Sequence, residues 1–381
     1  MGWAQLFTGL LLILTGLYAG VIFRCLLAWR KIPEVHLPAD FRPNTFITVL
    51  VPVRNEAENI LRLLSDFTYL QYPTSLLEVL VIDDHSEDGT GALVQEFSRT
   101  SPFPLHYLPL ALAQGGKGKK EAIRVGVEQA QGDFILSTDG DCRVPPDWLL
   151  LAAWMHEIEG ARFLSGPVFF HPIDSLFAKM QAVEFAALLG VGASSIWLGS
   201  PNMCNGAHVG YLKKGFGQVG GYAGNEQVSS CDDEFLMHRF FQAFPEGVQF
   251  LKSRRGVVYT EAKKTARSFL EQRVRWASKW THYERKGVKW LAGLVFSVNL
   301  LLFLGFFLVM TGLIGSLGFA LALIGKIAVD CLFLYQVLHF FGHRHLLPYA
   351  LPLQMVYIPY VVLTALASLY GRYEWKGRKV N

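Results

Sequence analysis

The run Phe134-Ile135-Leu136-Ser137-Thr138-Asp139-Gly140-Asp141-Cys142 decides how the chain folds. Its apolar start reads as a short buried strand, and two carboxylates separated by one glycine follow at the carboxyl end. Hard oxygen ligands spaced this closely suit Mg²⁺ or Mn²⁺ carrying a diphosphate. In an open α/β sheet the ligand crevice lies beyond the strand C-termini, where Asp139 and Asp141 would sit. Asp-x-Asp also occurs in ordinary surface turns, so the flanking sequence carries the weight.

Working outward, residues 46–53 are β-branched and apolar, as a strand buried on both faces should be, and lead into Arg54-Asn55-Glu56. A helical pattern follows through Ile60, Leu61, Leu63, Leu64 and Phe67. A second strand at 77–82 ends in Asp83-Asp84, and His85-Ser86-Glu87-Asp88-Gly89-Thr90 opens another helix. A third strand is expected at 105–110. The loop Gly115-Gly116-Lys117-Gly118-Lys119-Lys120 then leads into a helix over 121–130. Strand and helix in alternation predict a parallel sheet with helices on both faces. Its strand ends share one edge, so Asn55/Glu56, Asp83/Asp84 and Asp139/Asp141 converge although about 30 and 55 residues separate them. Carboxylates there can bond a nucleobase or ribose and ligate a metal, and Lys117 or Lys119 can neutralise phosphate. Taken singly, Asp83 and Asp88 read as turn or cap residues.

The 381 residues suffice for one large domain or two ordinary ones. Hydrophobic residues make up 51% and mean hydropathy is +0.29, an excess concentrated at the two ends. A net charge of +4, dispersed along the chain, gives no basis for nucleic-acid binding. Five cysteines without Cys-x-x-Cys spacing argue against a disulfide framework or zinc site and fit a reduced, cytoplasmic middle region. Residues 1–23 carry no charge, and Arg24, Arg30 and Lys31 follow, the order of an uncleaved anchor with its C-terminal end in the cytoplasm. Residues 32–44 read as a linker.

The series Val51-Pro52-Val53-Arg54-Asn55-Glu56, Ile82-Asp83-Asp84-His85-Ser86, Gly118-Lys119-Lys120-x-Ala122 and Thr138-Asp139-Gly140-Asp141 resembles glycosyltransferase family 2, inverting enzymes of GT-A fold. Gly220-Gly221-Tyr222 is similar to the family's glycine pair. Cys231-Asp232-Asp233-Glu234-x-Leu236-x-x-Arg239 resembles its Glu-Asp-x-x-Leu-x-x-Arg block, with Asp232 in place of the usual Glu. Gln272-Arg273-Val274-Arg275-Trp276 fits the Gln-x-x-Arg-Trp signature of the membrane-bound branch. The resemblance spans roughly residues 46–285. It implies an α/β chain with a GT-A-like, parallel-rich sheet flanked by helices, and transmembrane helices at both ends. A nucleotide-sugar donor is implied: Asp84 on the uridine or ribose side with Glu56 nearby, Lys119 toward the phosphates, and Asp139 with Asp141 holding Mg²⁺ or Mn²⁺. Asp233 would be the general base that deprotonates an acceptor hydroxyl.

On a helix Gln272, Arg275 and Trp276 project to one side, where Arg275 can pair with the diphosphate and Trp276 can carry a sugar or acceptor. The same residues, with Trp280 and Trp290, also suit a headgroup zone. Residues 173–197 read either as a helix on the bilayer surface guiding a lipid-linked acceptor or as a core helix of the catalytic domain. Asn202-Met203-Cys204-Asn205-Gly206 reads as a substrate-facing loop. Beyond it, spans are expected near 290–311, 314–341 and 347–370, with Lys326 and Asp330 paired on one helix face. Three spans would leave the basic tail outside, against the positive-inside tendency. Two spans plus a re-entrant piece, or four, would return it inside.

The expected organisation is an anchor over 1–31, a cytoplasmic catalytic region over 32–285 and a membrane region over 286–381, in a bacterial inner membrane. A lipid or lipid-linked glycan acceptor competes with processive polysaccharide synthesis. A non-catalytic membrane scaffold or transporter subunit is the reading from another class, opposed by the presence of Asp139, Asp141 and Asp233.

Overall fold

The computed structural model describes residues 2–110, 118–223, 232–278, 285–368, 373–375 and 378–380. The expected Gly115-Gly116-Lys117 loop, Cys231, Trp280 and parts of the basic tail lie outside them. In chain order the first elements are α1 (Trp3–Lys31), β1 (Ile47–Val53), α2 (Ile60–Phe67), β2 (Leu77–Asp83), α3 (Thr90–Ser98), β3 (Leu105–Pro109), α4 (Lys119–Gln129) and β4 (Phe134–Ser137). Then come α5 (Trp148–Glu157), β5 (Phe163–Ser165), β6 (Val168–Phe170), α6 (Leu176–Trp197), β7 (Val209–Leu212), α7 (Lys213–Gln218) and α8 (Asp232–Ala243). The rest are β8 (Val248–Phe250), β9 (Val258–Thr260), α9 (Ala266–Ala277), α10 (Lys286–Met310), α11 (Ser316–Phe340), α12 (Ala350–Ser368), β10 (Tyr373–Trp375) and β11 (Arg378–Val380). Two compact units result: one of Ile32–His171 and Ser195–Glu261, the other of Met1–Lys31, Pro172–Ser194 and Ala262–Asn381.

The first unit is built on a seven-stranded sheet of order β3-β2-β1-β4-β7-β5-β8. β1 lies parallel between β2 and β4, with Val53 opposite Asp83 and Leu50 opposite Ser137. Runs of Val, Ile and Leu bury these three strands on both faces. Their acidic ends therefore emerge together at one edge. α2 packs Ile60, Leu63, Leu64 and Phe67 inward, and Phe67 stacks on Trp148 of α5 at 6.2 Å.

The sheet is mostly parallel, as expected of a parallel-rich sheet. Two details go beyond the sequence reading. β7 is the antiparallel member, paired with both β4 and β5. Its four residues, Val-Gly-Tyr-Leu, are too short and too glycine-interrupted to announce a strand. Residues 162–170 form two strands in different sheets, because β5 pairs with β7 and β8 whereas β6 pairs with β9. Pro167 has no N–H to extend a ladder, and the Gly166 N–H is taken by the His208 carbonyl at 2.9 Å.

Among the described residues, five helices are long and apolar enough to cross a membrane: α1, α6, α10, α11 and the segment Arg344–Ser368 that contains α12. In the second unit α1 and α11 run side by side in one direction. Thr8 meets Gly318, Tyr18 bonds Asp330, and Trp29 packs edge-on against Phe340 at 5.5 Å. α10 runs the opposite way, since Gly305 near its C-terminal end meets Phe7 and Phe319. Most of α6, in residues 173–197, belongs to the same unit as these helices: Gly190 lies against Phe333 and Val337, and Ser194 Oγ donates to the Cys25 carbonyl at 2.9 Å.

Lys326 is fully buried, and its ammonium bonds Asp330 Oδ2 and Gln354 Oε1, each at 2.8 Å. Gln354 Nε2 and the Tyr18 hydroxyl donate to the two Asp330 oxygens, and the rings of Tyr18 and Tyr357 face the ammonium. The expected ion pair is thus part of a network spanning α1, α11 and α12. Two turns further along α12, Tyr360 meets Phe269 of α9, and β10 also lies against α9.

Candidate active site

Each strand end is shaped by its own polar groups. Asn55 and His85 adopt left-handed backbone conformations (φ 52° and 61°), uncommon for residues other than glycine and concentrated at functional turns. The two turns interlock: the Asn55 N–H donates to Ser86 Oγ, and the Glu87 N–H donates to Asn55 Oδ1, both at 2.9 Å. Asp83 accepts from the Ser86 N–H and the Tyr107 hydroxyl, and Asp88 from the Ala57 and Thr90 N–H groups. Both therefore brace turns. Asp84 is buried; its Oδ1 lies 3.0 Å from His85 Nδ1, and its Oδ2 accepts the Gly118 N–H at 3.1 Å. That bond ties the end of β2 to the start of α4, whose first residue is Lys119.

Lys119 then reaches across to β4. Its Nζ lies 2.6 Å from Asp139 Oδ1 and 3.8 Å from Asp233 Oδ2. Glu56 is buried beside Gly140, where an added Cβ would stand 3.1 Å from Glu56 Cγ. Thus Glu56, Asp84, Lys119, Asp139, Asp141 and Asp233 come from β1, β2, α4, β4 and α8 to one sheet edge. Burial raises the Asp233 carboxyl above its ordinary range; Lys119 opposes that shift and the Asp139 charge adds to it.

Sequence reasoning missed what seats Asp233. An added Cβ on Gly206 would stand 1.9 Å from Asp233 Oδ2 and 3.0 Å from Lys119 Nζ, so the carboxylate and the cation meet over a bare glycine. The loop carrying Gly206 is pinned at both ends. Asn202 exchanges hydrogen bonds with Ser195 Oγ, and the His208 N–H donates to the Asn205 carbonyl. His208 Nδ1 faces the Pro167 carbonyl at 3.2 Å, and burial lowers its pKa to about 4, so the ring is neutral near pH 7. The far side of α8 is held by Arg239, which donates to the Gly220 and Gly221 carbonyls. Those two glycines take φ of 76° and 50°, a turn closed to most side chains.

The donor set suits a hard divalent cation. Ligand atoms of Asp139, Asp141 and Cys142 lie within 4.8 Å of one another. Cys142 is fully buried, and burial together with the charges of Asp141 and Asp139 pushes its thiol well up, so it stays protonated and faces Asp141 Oδ1 at 3.7 Å. Two carboxylates would remain to hold an ion, a donor set that suits Mg²⁺ or Mn²⁺ rather than zinc.

In the second unit, Gln272, Arg275 and Trp276 lie on α9, all partly exposed. The buried member of that stretch is the intervening Arg273. It forks onto both Glu184 oxygens at 3.0 and 2.7 Å, donates to Gln272 Oε1, and is sandwiched by the Phe269 and Trp276 rings at 4.4 and 4.3 Å. Tyr360 also bonds Glu184. This pair fixes the roll of α9; its only sequence signal was an Arg beside the quoted motif residues.

Residues 48–207 match the sequence model of Glycosyl transferase family 2. Glycosyltransferase AglE of Haloferax volcanii is 38% identical over 104 residues, 27% of this chain and 33% of AglE. Poly-beta-1,6-N-acetyl-D-glucosamine synthase of Staphylococcus epidermidis is 24% identical over 238 residues, 61% of this chain and 53% of the synthase. The chain thus spans between a third and about half the length of these relatives. Mannosyltransferase PcManGT from Pyrobaculum calidifontis, solved in complex with GDP-Man and Mn²⁺, is similar with a TM-score of 0.61 and 20% identity, over 97% of this chain and 98% of that one. That likeness establishes a GT-A-like fold, as the strand and helix pattern and the motifs led one to expect.

Proposed function

We propose that this chain is a membrane-bound inverting glycosyltransferase that moves a sugar from a nucleotide-sugar donor to a hydroxyl of a lipid or lipid-linked acceptor. The observation that carries the reading is the meeting of Asp139, Lys119 and Asp233 at the carboxyl edge of the sheet. Ligands bind at such an edge in open α/β sheets. The family match over 48–207 and the Mn²⁺ and GDP-Man bound to PcManGT support it.

In this reading Asp84 and Glu56 hold the nucleoside side of the donor, and Lys119 faces its phosphates. Asp139 and Asp141 would hold Mg²⁺ or Mn²⁺, which when bound offsets charge on the departing nucleoside diphosphate. Asp233 takes the proton of the acceptor hydroxyl as that oxygen attacks the anomeric carbon opposite the leaving group, inverting it. A positioned base of this kind contributes roughly 10²–10⁴-fold in rate. By the family resemblance, Gln272, Arg275 and Trp276 belong to donor binding.

The catalytic region, residues 32–285, is assigned to the cytoplasmic side of a bacterial inner membrane, between the 1–31 anchor and the 286–381 membrane region. β10 lies against α9, the helix that precedes the first C-terminal span, which supports a tail on that same side. A cysteine at Asn381 should therefore resist impermeant reagents in intact cells. Processive synthesis is the second reading, favoured by the similarity to the polysaccharide synthase. Purified protein screened against a panel of nucleotide sugars, with a membrane-lipid extract as acceptor, tests the activity. Nucleoside diphosphate release with one added sugar supports lipid transfer, a ladder of products supports the synthase, and no release with any donor refutes both.

A further inference from the structure

The ammonium of Lys119 stands between two anions, 2.6 Å from Asp139 Oδ1 and 3.8 Å from Asp233 Oδ2. Its backbone is set by the start of α4 and by the Gly118 N–H bound to Asp84, so the side chain is the part left to move. On the side of Asp233, a Cβ on Gly206 would stand 3.0 Å from Lys119 Nζ and 1.9 Å from Asp233 Oδ2, so glycine at that position spares the approach of the two groups a side-chain atom. The Lys119 and Asp139 side chains are 25% and 39% exposed, so their pairing is solvated enough to be reversible.

Asp139 is also one of the two carboxylates suited to a divalent ion. An oxygen already bonded to an ammonium is a poorer ligand, and the two cations repel one another across it. We infer that Lys119 is an internal stand-in for the divalent cation: it neutralises Asp139 in the metal-free protein and is handed to Asp233 when the ion arrives. The handover is short. A shift of about 1 Å brings Nζ from 3.8 Å to charge-assisted hydrogen-bond distance of Asp233. Loading of the metal and placement of a positive charge against the base then become one event. The inference rests on the reading of Asp139 and Asp141 as the metal pair.

The test is a Mn²⁺ titration of the full chain in detergent, with no donor present, following loss of the free-ion signal by electron paramagnetic resonance. Lys119→Met is expected to bind Mn²⁺ roughly two- to fivefold more tightly than wild type, the range a partly exposed competing pair supports. Lys119→Arg keeps the charge and should stay within about twofold of wild type on the same scale. In an Asp139→Asn background the gain from Lys119→Met should vanish. Equal or weaker binding by Lys119→Met overturns the inference, as does an undiminished gain in the Asp139→Asn background. Lys119→Gln replaces the methionine variant if thermal melting shows that variant misfolded. Because neither donor nor turnover enters the titration, an enzyme inactive with every nucleotide sugar would sink the proposed activity and leave this result standing.

Discussion

Gly206→Ala places one methyl group against the proposed base. The added Cβ would stand 1.9 Å from Asp233 Oδ2 and 2.9 Å from its Cγ, whereas ordinary contacts begin near 3.4 Å, so the carboxylate must retreat by about 1.5 Å. Gly206 does not occupy the left-handed backbone region, so alanine brings no backbone strain and the fold should survive. A misplacement of about 1 Å at a reacting group typically costs 10²-fold, and the whole contribution of a base is about 10²–10⁴-fold. The variant should therefore lose about 10²-fold in kcat, about 2.7 kcal/mol in the barrier, with donor affinity within a few-fold of wild type. The assay is nucleoside diphosphate release at saturating donor, paired with donor binding and a thermal melt. A folded Gly206→Ala enzyme retaining kcat within about threefold of wild type would show that the seat of Asp233 does not matter, refuting the assignment.

Asp233→Asn should abolish turnover while leaving donor binding largely intact, and near-normal transfer would remove Asp233 from the mechanism. Since burial raises the Asp233 carboxyl, its titration in the metal-free protein, read as the infrared carboxylate difference between wild type and Asp233→Asn, should lie above the range of an ordinary aspartate. The same shift means the folded chain binds that proton more tightly than the unfolded one, so stability falls as pH rises through the folded-state pKa. Asp233→Asn should accordingly melt no lower than wild type at pH 7, and a clear drop in melting temperature would contradict this. Asp141→Asn should weaken Mn²⁺-dependent donor binding, with affinity unchanged with and without Mn²⁺ as the contrary result. Glu184→Gln leaves the Arg273 charge buried without its partner, a loss of about 3–5 kcal/mol for such pairs, measurable as a lower unfolding midpoint in detergent. An unaltered midpoint would mean that the pair does not hold α9.

Much of the site could be read from the sequence because its positions are tied to strand ends. β1, β2 and β4 are continuous β-branched or apolar runs, so the polar residues that follow each are forced to one edge once the strands pair in parallel. Asp139, Asp84 and Glu56 needed nothing more than that rule. Gly206 was beyond it, because its importance depends on an approach by α8 that no local pattern encodes. The antiparallel placement of β7 and the break at Gly166-Pro167 were hidden for a related reason. Strands of three or four residues carry too few side chains to show a period, and their pairing is settled by the loops that deliver them. On α9 the motif named Gln272, Arg275 and Trp276, yet Arg273 is the residue that turns inward, because a buried carboxylate on α6 waits for it.

Synthesis on the ribosome inherits an obligation from Lys326. In the membrane-bound reading proposed above, α11 brings an ammonium and a carboxylate into hydrocarbon as it leaves the insertion machinery, each of which disfavours insertion by about 2.5–3.5 kcal/mol at mid-bilayer. Tyr18 is already waiting on α1, but Gln354 emerges 24 residues after Asp330. Until it does, the cluster lacks a partner that both neutralising groups use. A nascent chain ending at Phe340 should therefore be cleared by membrane quality control faster than the full-length product in a pulse-chase, and equal half-lives would show that the late-arriving glutamine is dispensable for assembly.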